Sequence, residues 1–184
     1  MEFNIGDRIV YPMHGAGVIE SIEENIIMGE KKRYYILKIP VGNMSVMIPM
    51  ESAEKIGIRE VISEKEADNV LKEFENCPSD VTNNWNKRYR ENLLRIKSGN
   101  ILEIVGVCKC LMVRDKLHGL STGERKMLTN VKQIIISELV IAKKTTQQEI
   151  EKLLNSIIDK LLAWTYVVNL ILYEYNVWGT KVLF

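Results

Sequence analysis

The 184-residue chain is poor in the residues from which most active sites are assembled: it has two histidines, three cysteines and four prolines. His14 lies in "YPMHGAGVI", where Gly15 and Gly17 give the backbone the freedom that a tight strand connection needs. His118 precedes Gly119 at a helix end, where an imidazolium suits the helix dipole. G-x-S-x-G, the P-loop and H-E-x-x-H are all missing, so no catalytic residue is expected. Cys108 and Cys110 lack the second pair that a structural zinc site requires, and their spacing fits a buried helix in which cysteine behaves as a small hydrophobe; Cys77 makes the count odd. Neither a metal nor a cofactor is expected. The opening "MEFNIGDRIVY" has no cationic stretch followed by an apolar one, so no signal peptide is expected and a reducing cytoplasm is the expected compartment.

What the chain does have is the composition of a folded protein, 46% hydrophobic and 27% charged, with enough length to bury a core. "DRIVYP" (7–12), "AGVIESIEENII" (16–27), "KRYYILKIP" (32–40) and "MSVMIP" (44–49) are short β-branched or aromatic runs, separated by the turn-formers of Pro12 through Gly17, Met28 through Glu30 and Pro40 through Asn43. These runs predict four or five antiparallel strands in a small barrel or half-barrel. From Ser63 the period becomes helical, and Ser63 with Glu66, Ser121 with Glu124 and Thr146 with Glu149 match the capping-box spacing. Breaks are expected near Pro78, at Ser98-Gly99, at Gly119 and at Thr145-Thr146. Ile101, Ile104, Val105, Cys108, Leu111 and Met112 mark one buried helical stripe. Strands followed by helices without alternation give an α+β class: a β domain over 1–62, a helical domain over 63–160 and an atypical apolar tail over 161–184.

Net charge is only +1, but it is unevenly spread: residues 85–127 hold ten basic and four acidic residues, a local +6. Lys87, Arg88, Arg90, Arg95 and Lys97 lie on one helix, and Arg125 and Lys126 lie in the first turns of another. Such cations supply the sequence-independent phosphate attraction of nucleic-acid binding, and they are equally what a solvated charged face looks like. Trp85, in "TNNWNKRYRENL", divides in the same way. Winding the helix at about 100° per residue puts Tyr89, Leu93 and Ile96 in one stripe with Trp85 at its margin. From there the indole can pack, or it can stack on a base or wedge into a minor groove. In the second role Trp85 keeps part of its ring in solvent, with Arg88 and Arg90 sharing its surface.

In "NMSVMIP", Met44, Val46 and Ile48 alternate with Ser45 and Met47. Such an edge can accept a partner's strand or simply pair within its own sheet.

Two groups of residues resemble one known family. "IGDRIVYPMHGAGVIESIE", "KRYYILKIP" and "MSVMIP" are similar to the amino-terminal RNA-polymerase-interacting domain of the CarD/CdnL transcription regulators, a Tudor-like small barrel shared with the transcription-repair coupling factor. "NNWNKRYRENLLRIKSGN" and "LHGLSTGERKMLTNVKQIIISEL" resemble the family's helical carboxy-terminal domain. The resemblance implies a non-enzymatic regulator that binds the β-subunit lobe of bacterial RNA polymerase and meets promoter DNA at the upstream edge of the transcription bubble. There the family's tryptophan, which aligns with Trp85, wedges into the minor groove and holds the open complex without reading sequence. It further implies DNA contacts by Arg88, Arg90 and Arg125, extended by proximity to Lys87 and Lys126.

Polymerase contact is implied for Met44, Ser45, Val46, Met47, Ile48 and Pro49, with the neighbouring turn around Asn25 and Ile27. Where some relatives carry arginines, this chain has Asn25 and Met47, so strand pairing with apolar contacts from Ile27, Met47 and Ile48 would replace an ion pair. The expected location is the cytoplasm, at the nucleoid through polymerase.

The tail lies outside the resemblance. Its uncharged run, Leu161 to Tyr173, is shorter than the about 20 residues of a membrane span and is interrupted by Asn169, so no membrane role is expected. A monomer is expected, with the tail as a candidate surface for self-association or for packing on the helical domain. Two other classes compete with the regulator. One is a protein-interaction adaptor with no DNA role, and the other is a thiol or metal enzyme using Cys108 and Cys110.

Overall fold

A computed structural model describes residues 2–27, 30–76 and 84–179, with side chains up to Val167 and without that of Ile27. Cys77, Pro78 and the turn at Met28-Gly29 lie outside the described residues, as does the end of the tail from residue 180.

Five strands come first: β1 (Arg8–Tyr11), β2 (Gly15–Ile27), β3 (Glu30–Ile39), β4 (Met44–Pro49) and the two-residue β5 (Arg59–Glu60). A one-turn helix α1 (Ala53–Ile56) separates the last two. The helices α2 (Glu64–Asn76), α3 (Trp85–Lys97), α4 (Ile101–His118), α5 (Thr122–Lys143) and α6 (Gln147–Gly179) follow. The class is therefore α+β. The sheet is antiparallel with order β4-β3-β2-β1-β5, and β4 and β5 are its two edges. Of the two expected forms, barrel and half-barrel, the first is not met, and the sheet is not closed into a barrel. Closure would need β4 to pair with β5, but β5 is only two residues long and among the described residues no pairing joins it to β4.

Alternation places Ile9, Ile19, Tyr35, Leu37, Ile39 and Ile48 on one face, where Phe3, Ala53 and Ile58 complete a core. The Tyr35 hydroxyl accepts a hydrogen bond from the Phe3 amide at 3.0 Å. A bulge between Ile19 and Ser21 leaves Glu20 unpaired and resets the phase of the long β2 strand.

The helices enclose a second, larger core. α4 is its centre: Ile104, Val105, Cys108, Leu111 and Met112 are buried as the stripe predicts, and Val107 and Val113 are buried as well, so the helix is apolar almost all round. The Cys108 thiol lies against Met112 Sδ at 3.8 Å. Ser63 with Glu66, Ser121 with Glu124 and Thr146 with Glu149 each close a reciprocal cap, and α3, α4 and α5 end before Ser98, Gly119 and Lys144. α6 runs without a break through residue 160, the expected boundary between the helical domain and the tail.

Sheet and helices meet along α5. The Ala16 amide donates to Ser137 Oγ at 2.8 Å, and the Gln133 side chain donates to the His14 carbonyl at 3.3 Å. Gly15 has φ 112°, and a Cβ there would run into Ser137 Oγ, so the turn holding His14 needs glycine for both backbone and space. The strongest link is ionic. Arg59 of β5 clamps the fully buried Glu138 of α5 through Nη1 to Oε1 at 2.5 Å and Nη2 to Oε2 at 2.9 Å, and the Ile62 amide adds 3.3 Å to Oε1.

Removing one partner of such a pair strands a charge away from water. Arg59→Met is expected to lower the free energy of unfolding by about 3–5 kcal/mol in a urea titration. Lys143→Ala, which breaks the more exposed pair with Asp68, should change it by less than about 1 kcal/mol. Comparable losses for both would show that the clamp does not hold the two layers together.

Candidate functional site

The site grows from two helix starts. Asn84 caps α3 by accepting from the Lys87 amide at 3.1 Å, which sets Trp85 as the first helical residue, while Ser121 caps α5. The two caps touch, because Trp85 Nε1 donates to Ser121 Oγ at 3.0 Å. The indole also stacks on Tyr89, one turn along, with ring centroids 5.5 Å apart and planes inclined by 26°. Both rings lie over the first turn of α5, where a Cβ on Gly123 would sit 3.5 Å from Tyr89 Cε2 and 4.0 Å from Trp85 Cζ2. Trp85 nonetheless remains 44% exposed. It is held along one edge and open on the rest.

Beneath the rings lies a buried ionic layer. Arg88, 6% exposed, directs Nε and Nη2 at Glu124 Oε1, at 2.9 and 2.6 Å. The Ser121 hydroxyl donates to Glu124 Oε2 at 2.7 Å, so indole, hydroxyl, carboxylate and guanidinium form one connected chain. Arg114 of α4 brings its Nε to within 4.0 Å of the same carboxylate. Burial alone would push the Glu124 carboxyl up, but the bonds from Ser121 and then Arg88 outweigh it and hold the group below the ordinary carboxylate range.

This arrangement corrects the reading of Arg88 as a surface DNA contact that shares a face with Arg90. The two residues are about 160° apart around α3. Arg88 is turned inward onto Glu124, and Arg90 points to solvent. The physical reason is a buried acid 36 residues away, which no local pattern reveals. Lys87 and Arg90 occupy the outer side of α3, Lys87 in a loose 3.8 Å pair with Glu91. Arg125 and Lys126 are exposed on the first turn of α5, next to the Trp85–Ser121 junction, with Arg125 Nε donating to the Leu120 carbonyl at 3.3 Å. Sequence reasoning missed Ser121 and Glu124 as parts of this site. Their capping box was visible, but not its position under Trp85.

Among the described residues β4 pairs with β3 alone, so its outer backbone groups form one edge of the sheet. Met47 is 48% exposed, Met44 and Ser45 are exposed, and Val46, Pro49 and Asn25 are half-buried. Ile48 departs from its expected role as an apolar surface contact. Paired with Tyr35, it points into the sheet core and is fully buried. Ile27 ends β2, and its side chain lies outside the described residues. The neighbouring Ile26, 73% exposed, had been overlooked.

Because Glu124 is held below its ordinary range, its stabilisation is present above that range and is lost as pH falls through the depressed value. Glu124→Gln is expected to cost about 2–4 kcal/mol at neutral pH. The gap to wild type should narrow steadily below about pH 4 in urea titrations run at a series of pH values. A gap independent of pH would mean that the carboxylate charge is not what stabilises the layer.

Two family models match the chain in order: the CarD-like/TRCF RID domain over residues 3–62 and the CarD C-terminal domain over residues 69–155. The first covers the open sheet, and the second runs from α2 into α6. A protein of Bacillus subtilis (strain 168) named "Putative transcription factor YdeB" is 40% identical over 149 residues, 81% of this chain and 97% of that protein. With both layers matched in sequence order and a relative at this identity over nearly its whole length, the chain belongs to the CarD-like family of transcription factors.

Proposed function

We propose that the protein is a transcription regulator that binds the β-subunit lobe of bacterial RNA polymerase through its sheet and stabilises the promoter open complex by placing Trp85 at the upstream edge of the bubble. The observation that carries this reading is the half-exposed indole, anchored by Ser121 and Tyr89 over a buried ion pair, in a member of this family. A ring fixed in this way loses little freedom when it inserts, so more of its stacking energy remains for holding DNA open. Base–aromatic stacking contributes roughly 1–3 kcal/mol. That corresponds to about a five- to hundredfold shift between closed and open states, enough for regulation without catalysis.

The cations divide the work. Arg90, Lys87, Arg125 and Lys126 are exposed and suit phosphate contact, which sets register without reading bases, while Arg88 holds the platform in place. Polymerase binding is supported by the match to the RID domain over residues 3–62 and by the free edge of β4. There, strand addition would supply main-chain hydrogen bonds, with Met44 and Met47 adding apolar contact. Asn25 and Met47 leave no arginine at these positions, so this contact would depend little on salt.

Promoter-opening assays with bacterial polymerase test the reading. Wild-type protein is expected to lengthen open-complex lifetime, and Trp85→Ala to remove about five- to hundredfold of that effect. An unchanged lifetime with wild type, or full activity in Trp85→Ala, would refute the wedge. Arg90→Ala should lower the salt slope of DNA binding by about one. Met47→Glu should abolish co-purification with polymerase while leaving the fold intact, because the residue is half-exposed; retained co-purification would move the polymerase contact away from β4.

A further inference from the structure

The face of the sheet that turns away from its own core is only partly covered. Val10 pairs with Ala16 on that face, and both are buried where the Ala16 amide bonds Ser137 of α5. Two residues back along β1 and two on along β2, Arg8 pairs with Val18, and Val18 pairs in turn with Lys38 of β3. Alternation puts this row on the same face as Val10 and Ala16. The last turn of α5 stands beside the row, and between them lies a cleft of about 490 Å³. Val18, Val140 and Ile141 are half-buried in it, and the exposed Pro40 completes its apolar lining. The volume is within the about 300–1,000 Å³ of clefts that hold ligands, and the lining has no aromatic ring and no hydroxyl group.

Charge surrounds this aliphatic floor unevenly. Arg8, Lys38 and Lys144 bring three cations to the lining, and Glu20, set outside the ladder by the β2 bulge, brings the one carboxylate. Among the described residues none of the four stands in an ion pair. Lys144 is placed there against local preference. It caps α5 with φ 51°, in the left-handed region where glycine is the usual residue. A backbone held outside its ordinary range points to a use for the side chain it carries. A small inorganic anion would leave the aliphatic floor in water, and a nucleic-acid strand would find no ring on which to stack a base. A wholly apolar ligand would displace water around the cations and leave them without a partner. An aliphatic side chain with carboxylates on either side meets both demands, covering Val18, Val140 and Ile141 and answering the surplus of positive charge.

We propose that this cleft between the sheet and the end of α5 docks an extended segment of a partner protein in which leucine or isoleucine is flanked by aspartate or glutamate. The inference does not rest on polymerase or DNA, so its test uses the full chain and synthetic peptides. A fluorescein-labelled peptide of two leucines flanked on each side by two glutamates is expected to bind in low salt with a Kd on the order of 10–100 µM by anisotropy. Serine in place of its leucines, or lysine in place of its glutamates, should remove binding. Lys38→Glu and Lys144→Glu should each weaken it by roughly five- to tenfold, while Lys152→Glu, exposed on α6, should leave it unchanged. Lys144→Gly separates charge from fold. It should raise the melting temperature by about 2–4 °C, because glycine suits the left-handed cap, and still weaken the peptide by about threefold. No binding at about 1 mM peptide, full binding of the serine peptide, or equal losses in Lys144→Glu and Lys152→Glu would each overturn the proposal. So would tighter binding of dodecanoate than of the peptide, which would assign the cleft to a lipid anion. A peptide-free dimer in sedimentation that Lys144→Glu dissolves would overturn it too, by assigning the cleft to a second copy.

Discussion

Two carboxylates buried on one helix govern how the molecule is assembled. Glu124 and Glu138 both lie on α5, and an unpaired charge in either place would cost more than most single contacts contribute. Each is neutralised from a different element, Glu124 by Arg88 of α3 and Glu138 by Arg59 of β5. α5 therefore cannot take its place unless both the third helix and the last strand are in theirs. The two acids are fourteen positions apart, about 21 Å of helix. That length separates the tryptophan platform from the point where the sheet is clamped.

The sheet and the platform are thus two ends of one lever. In the proposed function, α5 would link the polymerase-bound sheet to the DNA-facing Trp85 through continuous helix between the clamp at Glu138 and the cap at Ser121. Polar interactions specify this arrangement while the two hydrophobic cores supply most of the stability, one under the sheet and one around α4. The Ser137 and Gln133 bonds to the turn at His14 to Ala16 close the same joint from the other side.

What could be read from the sequence was what is local. Capping boxes, the α4 stripe and the strand runs each depend on residues within a turn or two of one another, and they emerged where expected. The cap at Asn84 escaped because Lys87, not a glutamate, stands three residues on, and at Asn100 the glutamate in that place, Glu103, pairs with Arg95. Barrel and half-barrel stayed undivided because a run of β-branched residues shows a strand but not whether its edge is paired. Arg88 and Ile48 were misplaced for related reasons. A charged residue near the margin of a helix stripe goes inward only if a distant acid waits for it, and the phase of a strand is settled by its partners across the sheet. Trp85 was left open by periodicity, and its cap contact explains why: the ring belongs partly to the interior and partly to the surface.

The hydrogen bond from the Trp85 indole to Ser121 carries one more consequence. Its ring nitrogen is the only donor that a tryptophan side chain has, and here it is already engaged by the protein. In the minor groove, A·T and T·A pairs present only acceptors, and an indole arriving in this state would have nothing to offer them. It could sense how readily two base pairs part, but not which bases they are. In the proposed role, a side chain held in this way would measure the softness of a step, and its preference among promoters would follow the mechanics of the duplex more than its letters.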